Sequence, residues 1–347
     1  MKHLFFFRWL TFPFRYAFSK IKKKIGKLDR LRLEVFLVIG NGSQVFLKGR
    51  VMEAYRQSRP SEKKSALQNI LATIRRYAGS SVPDANVKVQ WGSYGVQLTA
   101  DSEGIFESFL HLSDLDEPHP KSIRLSLVPE EGLVPEKPWV DRKIQQIVEP
   151  SPRALISDID DTVIISKATN LGEKLWLSVS KNAYTRRPFP GVSEFYQLLT
   201  RDGEFPVFYV SSSDWNLFDL IRDFLRFRNI PLGPILLKDR HVNLRNIWKS
   251  GGGNHDHKLE KIRFLMEFFP EQQFLLIGDS GQHDPELYAE VIREFPGRVE
   301  AVFIRRVRKE DPAREEKLNR LLPPHKVAWV KTTREALYHA KTYLTLS

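Results

Sequence analysis

Residues 153–166 read "RALISDIDDTVIIS". Ala154, Leu155 and Ile156 are apolar. Three carboxylates then fall within four positions, Asp158, Asp160 and Asp161, before Val163, Ile164 and Ile165 restore apolar character. A short apolar run ending in acids has the form of a buried strand whose carboxyl end opens onto a site. Carboxylates crowded in this way do not all stay ionised unless a cation compensates them. The stretch therefore asks what supplies that cation and which aspartate does what.

The same rhythm continues downstream. Apolar runs "PVFYVS", "PILL", "FLLIG" and "EAVFI" alternate with helix-like segments such as "VSEFYQLL", "NLFDLIRDFLRF" and "LEKIRFLMEFF". "KVAWV" and a last helix, "TREALYHAKTYL", extend the pattern. Fully apolar strands alternating with helices predict a Rossmann-like parallel sheet covered by helices on both faces. Upstream, residues 31 to about 128 change to period two, as in "QVFLKGRV", "NVKVQW", "YGVQL" and "SIRLSL". That half is expected to be an antiparallel, sandwich-like domain, each strand with one buried and one wet face. One inserted helix carries Leu67, Ile70, Leu71, Ile74 and Ala78 on a single face. A proline-rich stretch (Pro129, Pro135, Pro138, Pro150, Pro152) marks the boundary. Three regions result: a basic segment 1–30, a β-rich domain with its linker 31–150, and an α/β domain 151–347.

Composition limits the chemistry. The chain of 347 residues has no cysteine, which excludes disulfides, thiol nucleophiles and thiolate metal sites and fits a reducing, cytoplasmic location. The net charge is +12, and it is concentrated: residues 1–30 hold nine Lys/Arg against Asp29 alone. The same segment is rich in Phe, and from Pro13 onward Phe14, Phe18, Ile21, Ile25 and Leu28 share one helical stripe beside Lys22, Lys23, Lys24 and Lys27. Arg8, Pro13 and Arg15 interrupt it too often for a spanning helix. A basic, aromatic, amphipathic segment suits a membrane surface. The plainer reading is a stripe packed on the protein's own body. Net basicity also suits nucleic acid, but no nucleic-acid motif stands out, so nucleic acid is set aside as a partner.

Groups that follow each run converge if the strands are neighbours. After "ALIS" come Asp158, Asp160 and Asp161; after "PVFYV" come Ser211, Ser212, Ser213 and Asp214. Lys258 stands before "LEKIRFL", and "FLLIG" is followed by Asp279, Ser280 and then Asp284. Oxygen ligands from sparse aspartates favour Mg²⁺. A lysine and hydroxyls suit the oxygens of a phosphoryl group, and an aspartate can serve as nucleophile. Two rival motifs fail. A calcium loop counted from Asp158 needs Gly and Glu where Val163 and Thr169 stand. No Walker-type loop occurs. His255 and His257 flank Asp256 without further convincing ligands and are set aside.

The order and spacing resemble the haloacid-dehalogenase-like phosphohydrolases over about residues 153–310. "SDIDDTV", "YVSSSDWNLF", "HKLEKI" and "LIGDSGQHDPELY" look more narrowly like the catalytic domain of the actin-patch phosphatidate phosphatase family. The second motif departs from that pattern, since Asp214 stands where proline is expected. The resemblance implies Asp158 as nucleophile and Mg²⁺ ligand. It implies Asp160 as general acid/base with its carbonyl on the metal, and Lys258 as the neutralising cation. Ser211 would hold the phosphoryl oxygens, with Ser212 beside it as a further substrate contact. Asp279 would be a metal ligand, and Asp284 would complete the set by orienting metal-bound water or Lys258. Asp161 takes a place often filled by glycine and is expected to matter least. Residues 167–190 sit where the superfamily inserts a small cap.

The expected activity is Mg²⁺-dependent hydrolysis of phosphatidate to diacylglycerol through an aspartyl-phosphate. An anionic phospholipid would be the substrate, and the protein would be peripheral at a membrane. The alternatives are a phosphatase acting on a soluble phosphate ester and a membrane-binding adaptor with a vestigial site.

Overall fold

Alternation in the first part of the chain becomes two small sheets. The structure, a computed structural model, describes residues 30–54, 81–111, 121–128, 134–146, 153–165, 187–238, 256–307 and 312–344. The basic segment 1–29, the inserted helix, the cap stretch up to residue 186 and His255 lie outside the described residues. Two compact units divide the chain, Met1–Val148 and Glu149–Ser347.

The first unit runs through β1 (Leu31–Gly40), β2 (Gln44–Glu53), β3 (Asn86–Trp91), β4 (Tyr94–Thr99), β5 (Ile105–His111), β6 (Ser122–Leu127), β7 (Val140–Lys143) and β8 (Gln145–Gln146). One sheet has the order β5-β2-β1-β8 and the other β4-β3-β6-β7. The alternating residues form a shared core: Val45, Leu47 and Val51 of β2, Val87 and Val89 of β3, and Ile123 and Leu125 of β6 are all buried. The architecture is sandwich-like, with two departures from the simple pattern. The pair β1–β8 is parallel. In β4 the stripe Tyr94, Val96, Leu98 is not a buried face, because Tyr94 and Val96 are each 36% exposed. Among the described residues β4 is an edge strand, paired with β3. Its alternation records sheet pairing rather than burial.

The second unit alternates strictly. β9 (Ala154–Ser157), α1 (Val192–Thr200), β10 (Val207–Asp214), α2 (Phe218–Phe227), β11 (Ile235–Lys238), α3 (Asp256–Phe268), β12 (Phe274–Asp279), α4 (Asp284–Glu294), β13 (Val299–Arg305), α5 (Pro312–Leu321), β14 (Val327–Val330) and α6 (Thr333–Tyr343) follow in order. The sheet order is β11-β10-β9-β12-β13-β14, and every neighbouring pair is parallel. β9 and β12 are buried at every position, as their apolar runs require. Helices α1 and α6 pack together, while α4 packs with both α3 and α5. Right-handed crossovers place such sets on opposite faces of the sheet.

Chain order turns back between β9 and β12. From β9 the chain steps outward to β10 and β11, then returns to β12 and steps outward the other way. Loops leaving β9 and β12 therefore splay apart and leave a crevice at their carboxyl ends. "DIDDT" and "GDSGQHD" occupy those two exits.

Candidate active site

Asp158 leaves β9 into a tight turn. Its backbone N–H donates to Ile277 O of β12 at 2.9 Å, which ties it to the neighbouring strand. The turn closes through Val163 N–H to Ile159 O at 2.9 Å and Asp161 N–H to Ile164 O at 2.8 Å. It brings Thr162 back over the strand end, where Oγ1 donates to Asp158 Oδ2 at 3.2 Å. Asp161 has φ +60°, a left-handed conformation that favours glycine and tolerates aspartate. Physical geometry thus accounts for the glycine that the resemblance leads one to expect there.

The three aspartates face three environments. Asp158 is 2% exposed and contacts Lys258, whose Nζ lies 2.7 Å from Asp158 Oδ1 and 2.7 Å from Asp284 Oδ1. Asp160 turns to β10 instead: Ser211 Oγ donates to its Oδ2 at 3.1 Å and Ser213 Oγ at 2.9 Å. Asp161, half-buried, takes the left-handed corner.

β12 and α4 supply the other half. Asp279 Oδ1 accepts backbone N–H bonds from Gly281 at 2.6 Å and Gln282 at 3.0 Å. Asp284 begins α4, where the helix dipole favours an acid, and its Oδ2 accepts from Asp279 N–H at 3.2 Å. Gly278 allows the approach: a Cβ there would lie 2.7 Å from Asp284 Oδ2 and 2.9 Å from a Tyr288 ring atom. Tyr288 Oη anchors α4 to the strand by donating to Ile277 O at 2.8 Å.

Electrostatics explain what the cluster demands. Burial pushes the Asp158 carboxyl well above the usual carboxylate range; Lys258 opposes the rise, and Asp284, Asp279 and Asp160 add to it. Asp279 is pushed up to about 7, by burial first and then by Asp284, again against Lys258. Burial alone would lower Lys258, but Asp158 and Asp284 outweigh it and hold the ammonium protonated. One lysine does not neutralise Asp158, Asp279 and Asp284 together. The remaining negative charge calls for protons or a cation.

Carboxylate oxygens of Asp158, Asp279 and Asp284 all lie within 4.8 Å of one another, so this donor set fits a small hard cation. The Asp160 carboxylate is directed elsewhere. Its carbonyl oxygen faces the cluster, where Gln282 Nε2 lies 3.4 Å from it and 3.3 Å from Asp279 Oδ2. Of the expected ligands, the carboxylates of Asp158, Asp279 and Asp284 come together, and the Asp160 carbonyl is linked to Asp279 through Gln282.

Of the other expected residues, Ser211 is buried beside Asp160. Ser212 points the opposite way along β10 and is exposed, and the hydroxyls that reach Asp160 are those of Ser211 and Ser213. Ser213 was not among the expected site residues. Period two alone was the available signal, since residues two apart in a strand share a side. Gln282 was also missed, because its role depends on the turn that follows Asp279.

A doubly wound α/β domain with an acid–lysine cluster at its switch point has the layout of a ligand-binding or catalytic site. Residues 153–306 match the sequence model described as "Phosphatidate phosphatase APP1, catalytic domain". Over this stretch the chain is similar to the actin-patch phosphatidate phosphatase catalytic-domain family. It is similar to the phosphatidate phosphatase APP1 of Saccharomyces cerevisiae, 32% identical over 46% of this chain and 26% of that protein. It is also similar to an uncharacterized protein of Schizosaccharomyces pombe, 30% identical over 44% of this chain and 25% of that one. The match spans about a quarter of each curated relative. A solved carbohydrate acetylesterase from Xanthomonas citri aligns over 78% of this chain and 68% of its own at 12% identity, with a TM-score of 0.28.

Proposed function

We propose that the protein is a Mg²⁺-dependent phosphatidate phosphatase that works through an aspartyl-phosphate on Asp158. The observation that carries this reading is the buried Asp158–Lys258–Asp284 contact beside Asp279, within the stretch that matches the phosphatidate phosphatase catalytic domain. Mg²⁺ held by Asp158, Asp279, Asp284 and the Asp160 carbonyl would screen the carboxylates from an incoming phosphate and draw charge from its oxygens.

The chain's own residues account for the remaining steps. The Asp158 carboxylate attacks phosphorus, and the bond from phosphorus to the glyceride oxygen breaks. Asp160, protonated, passes its proton to the departing alkoxide, giving diacylglycerol. Water then attacks phosphorus, the bond to Asp158 breaks, and Asp160 recovers a proton from that water. Phosphate leaves and both aspartates return to their starting forms. Ser211 and Ser213 hold the Asp160 carboxyl at the edge of the cluster, ready for both transfers. Lys258, held protonated by Asp158 and Asp284 against the effect of burial, places a positive charge beside the reacting carboxylate.

The basic, Phe-rich segment 1–30 supports work at a lipid surface. No described helix is long and apolar enough to cross a membrane. A peripheral, cytoplasmic enzyme acting on an anionic phospholipid is the reading that joins these features. Phosphate release from phosphatidate micelles, compared with p-nitrophenyl phosphate, tests the substrate. Activity on the soluble ester alone would select the soluble-phosphatase alternative. Activity on neither would leave the adaptor reading.

A further inference from the structure

Arg314 lies on α5, beyond the 153–306 stretch that matches the catalytic-domain family. Its side chain reaches back to the turn after β12. Nη1 donates to Ser280 O at 2.6 Å, and Nη2 donates to Gln282 O at 2.7 Å. The remaining edge of the guanidinium forms a fork on Glu286 of α4, Nε to Oε1 at 3.0 Å and Nη2 to Oε2 at 2.9 Å.

One of these bonds has a direct consequence. Ser280 O and Gly281 N–H belong to the same peptide unit. Arg314 takes its carbonyl, while its N–H donates to Asp279 Oδ1 at 2.6 Å. A cation on the carbonyl end polarises the peptide and strengthens the bond made by its N–H end. The second bond, to Gln282 O, fixes the residue whose N–H also donates to Asp279 Oδ1 and whose amide reaches Asp279 Oδ2. Glu286 in turn keeps the guanidinium plane from rotating. Burial would raise its half-buried carboxyl, but Arg314, a backbone hydrogen bond and the charge of His283 together hold it below the usual range.

We infer that Arg314 is a positioning residue that clamps the 280–282 turn and thereby sets the orientation of the Asp279 carboxylate. The consequence for an ion rests on reading the Asp279 cluster as the proposed Mg²⁺ site; the clamp on the backbone does not. Lysine retains the charge but loses the planar fork, so Arg314→Lys separates geometry from electrostatics. Outer partners of this kind change metal affinity by about 10- to 100-fold when removed.

The test compares full-length wild type, Arg314→Lys, Arg314→Gln and the control Arg320→Gln, an exposed arginine of the same helix bonded to Glu316. Hydrogen exchange of the 279–283 peptide is measured without metal, and Mg²⁺ uptake is measured by calorimetric titration. Both Arg314 variants are expected to exchange the Gly281 and Gln282 amides about tenfold or more faster and to bind Mg²⁺ about 10- to 100-fold more weakly. Arg320→Gln is expected to match wild type in both. Phosphatidate KM at saturating Mg²⁺ should be unchanged. Unaltered exchange in both Arg314 variants would overturn the clamp. Failure of wild type to take up Mg²⁺ would instead overturn the ion reading of the cluster, and the exchange data would still decide the clamp.

Discussion

Asp158, Asp160 and Asp161 stand within four positions, yet the fold gives each a separate role. Asp158 is in the lysine-bound cluster, Asp160 is bound by two serine hydroxyls, and Asp161 occupies a left-handed corner. Asp161→Gly is therefore expected to keep wild-type turnover and stability. Asp161→Val should lose about 1–2 kcal/mol in a urea melt, because a β-branched residue resists positive φ. A large loss of turnover in folded Asp161→Gly would contradict this division. The raised carboxyls give a second consequence. Asp279 rises from the usual 3.8 to about 7 in the ion-free protein. Between those values the folded chain holds a proton that the unfolded chain has released, so ion-free stability falls as pH climbs through that window. A divalent ion needs these carboxylates ionised and displaces their protons. The rise in melting temperature caused by Mg²⁺ should therefore grow from about pH 5.5 to about pH 7.5. A rise that is flat or shrinks over that range would count against the cluster as the ion site.

β12 and α4 show how closely one element must approach another to build the site. Gly278 packs against Asp284 and Tyr288 with no room for a methyl group. Gly278→Ala should cost about 1–3 kcal/mol by overpacking and should push Asp284 away from Lys258, which lowers turnover beyond the loss of folded protein. Full activity in that variant would show that the α4 start has more freedom than its contacts indicate. The elements of this unit were legible because "ALIS" and "FLLIG" are apolar throughout and therefore buried on both faces. The exits of those strands made Asp158 and Asp279 legible too. Ser213 was within reach of period two, but only the fold shows that Asp160 turns towards β10. Gln282 and Arg314 were not legible. Their partners are fixed by a turn and by a helix 34 residues from Ser280, and local periodicity carries no trace of either. In the β-rich unit, alternation found β2, β3, β4 and β6, but the buried face it implies for β4 is exposed at Tyr94 and Val96.

Along the chain, the basic excess and the acidic cluster fall in different segments. The basic excess lies in residues 1–30, while the second unit gathers acids at its switch point. If the N-terminal segment brings the enzyme to anionic lipid, replacing Lys22, Lys23, Lys24 and Lys27 by glutamate in the full chain should abolish sedimentation with phosphatidate-containing vesicles. Hydrolysis of a soluble ester should be unaffected. Native binding should weaken as salt shortens the Debye length to about 3 Å at 1 M. Vesicle binding that survives the charge reversal would assign lipid contact to another surface. The proposed function makes Asp158 the nucleophile of a phosphatidate phosphatase. The decisive measurement is phosphate release from phosphatidate micelles in Mg²⁺ by wild type and by Asp158→Asn. The expected result is release by wild type that EDTA abolishes, and a loss of at least about a thousandfold in the folded variant. Asp158→Asn turning over at the wild-type rate would contradict the account.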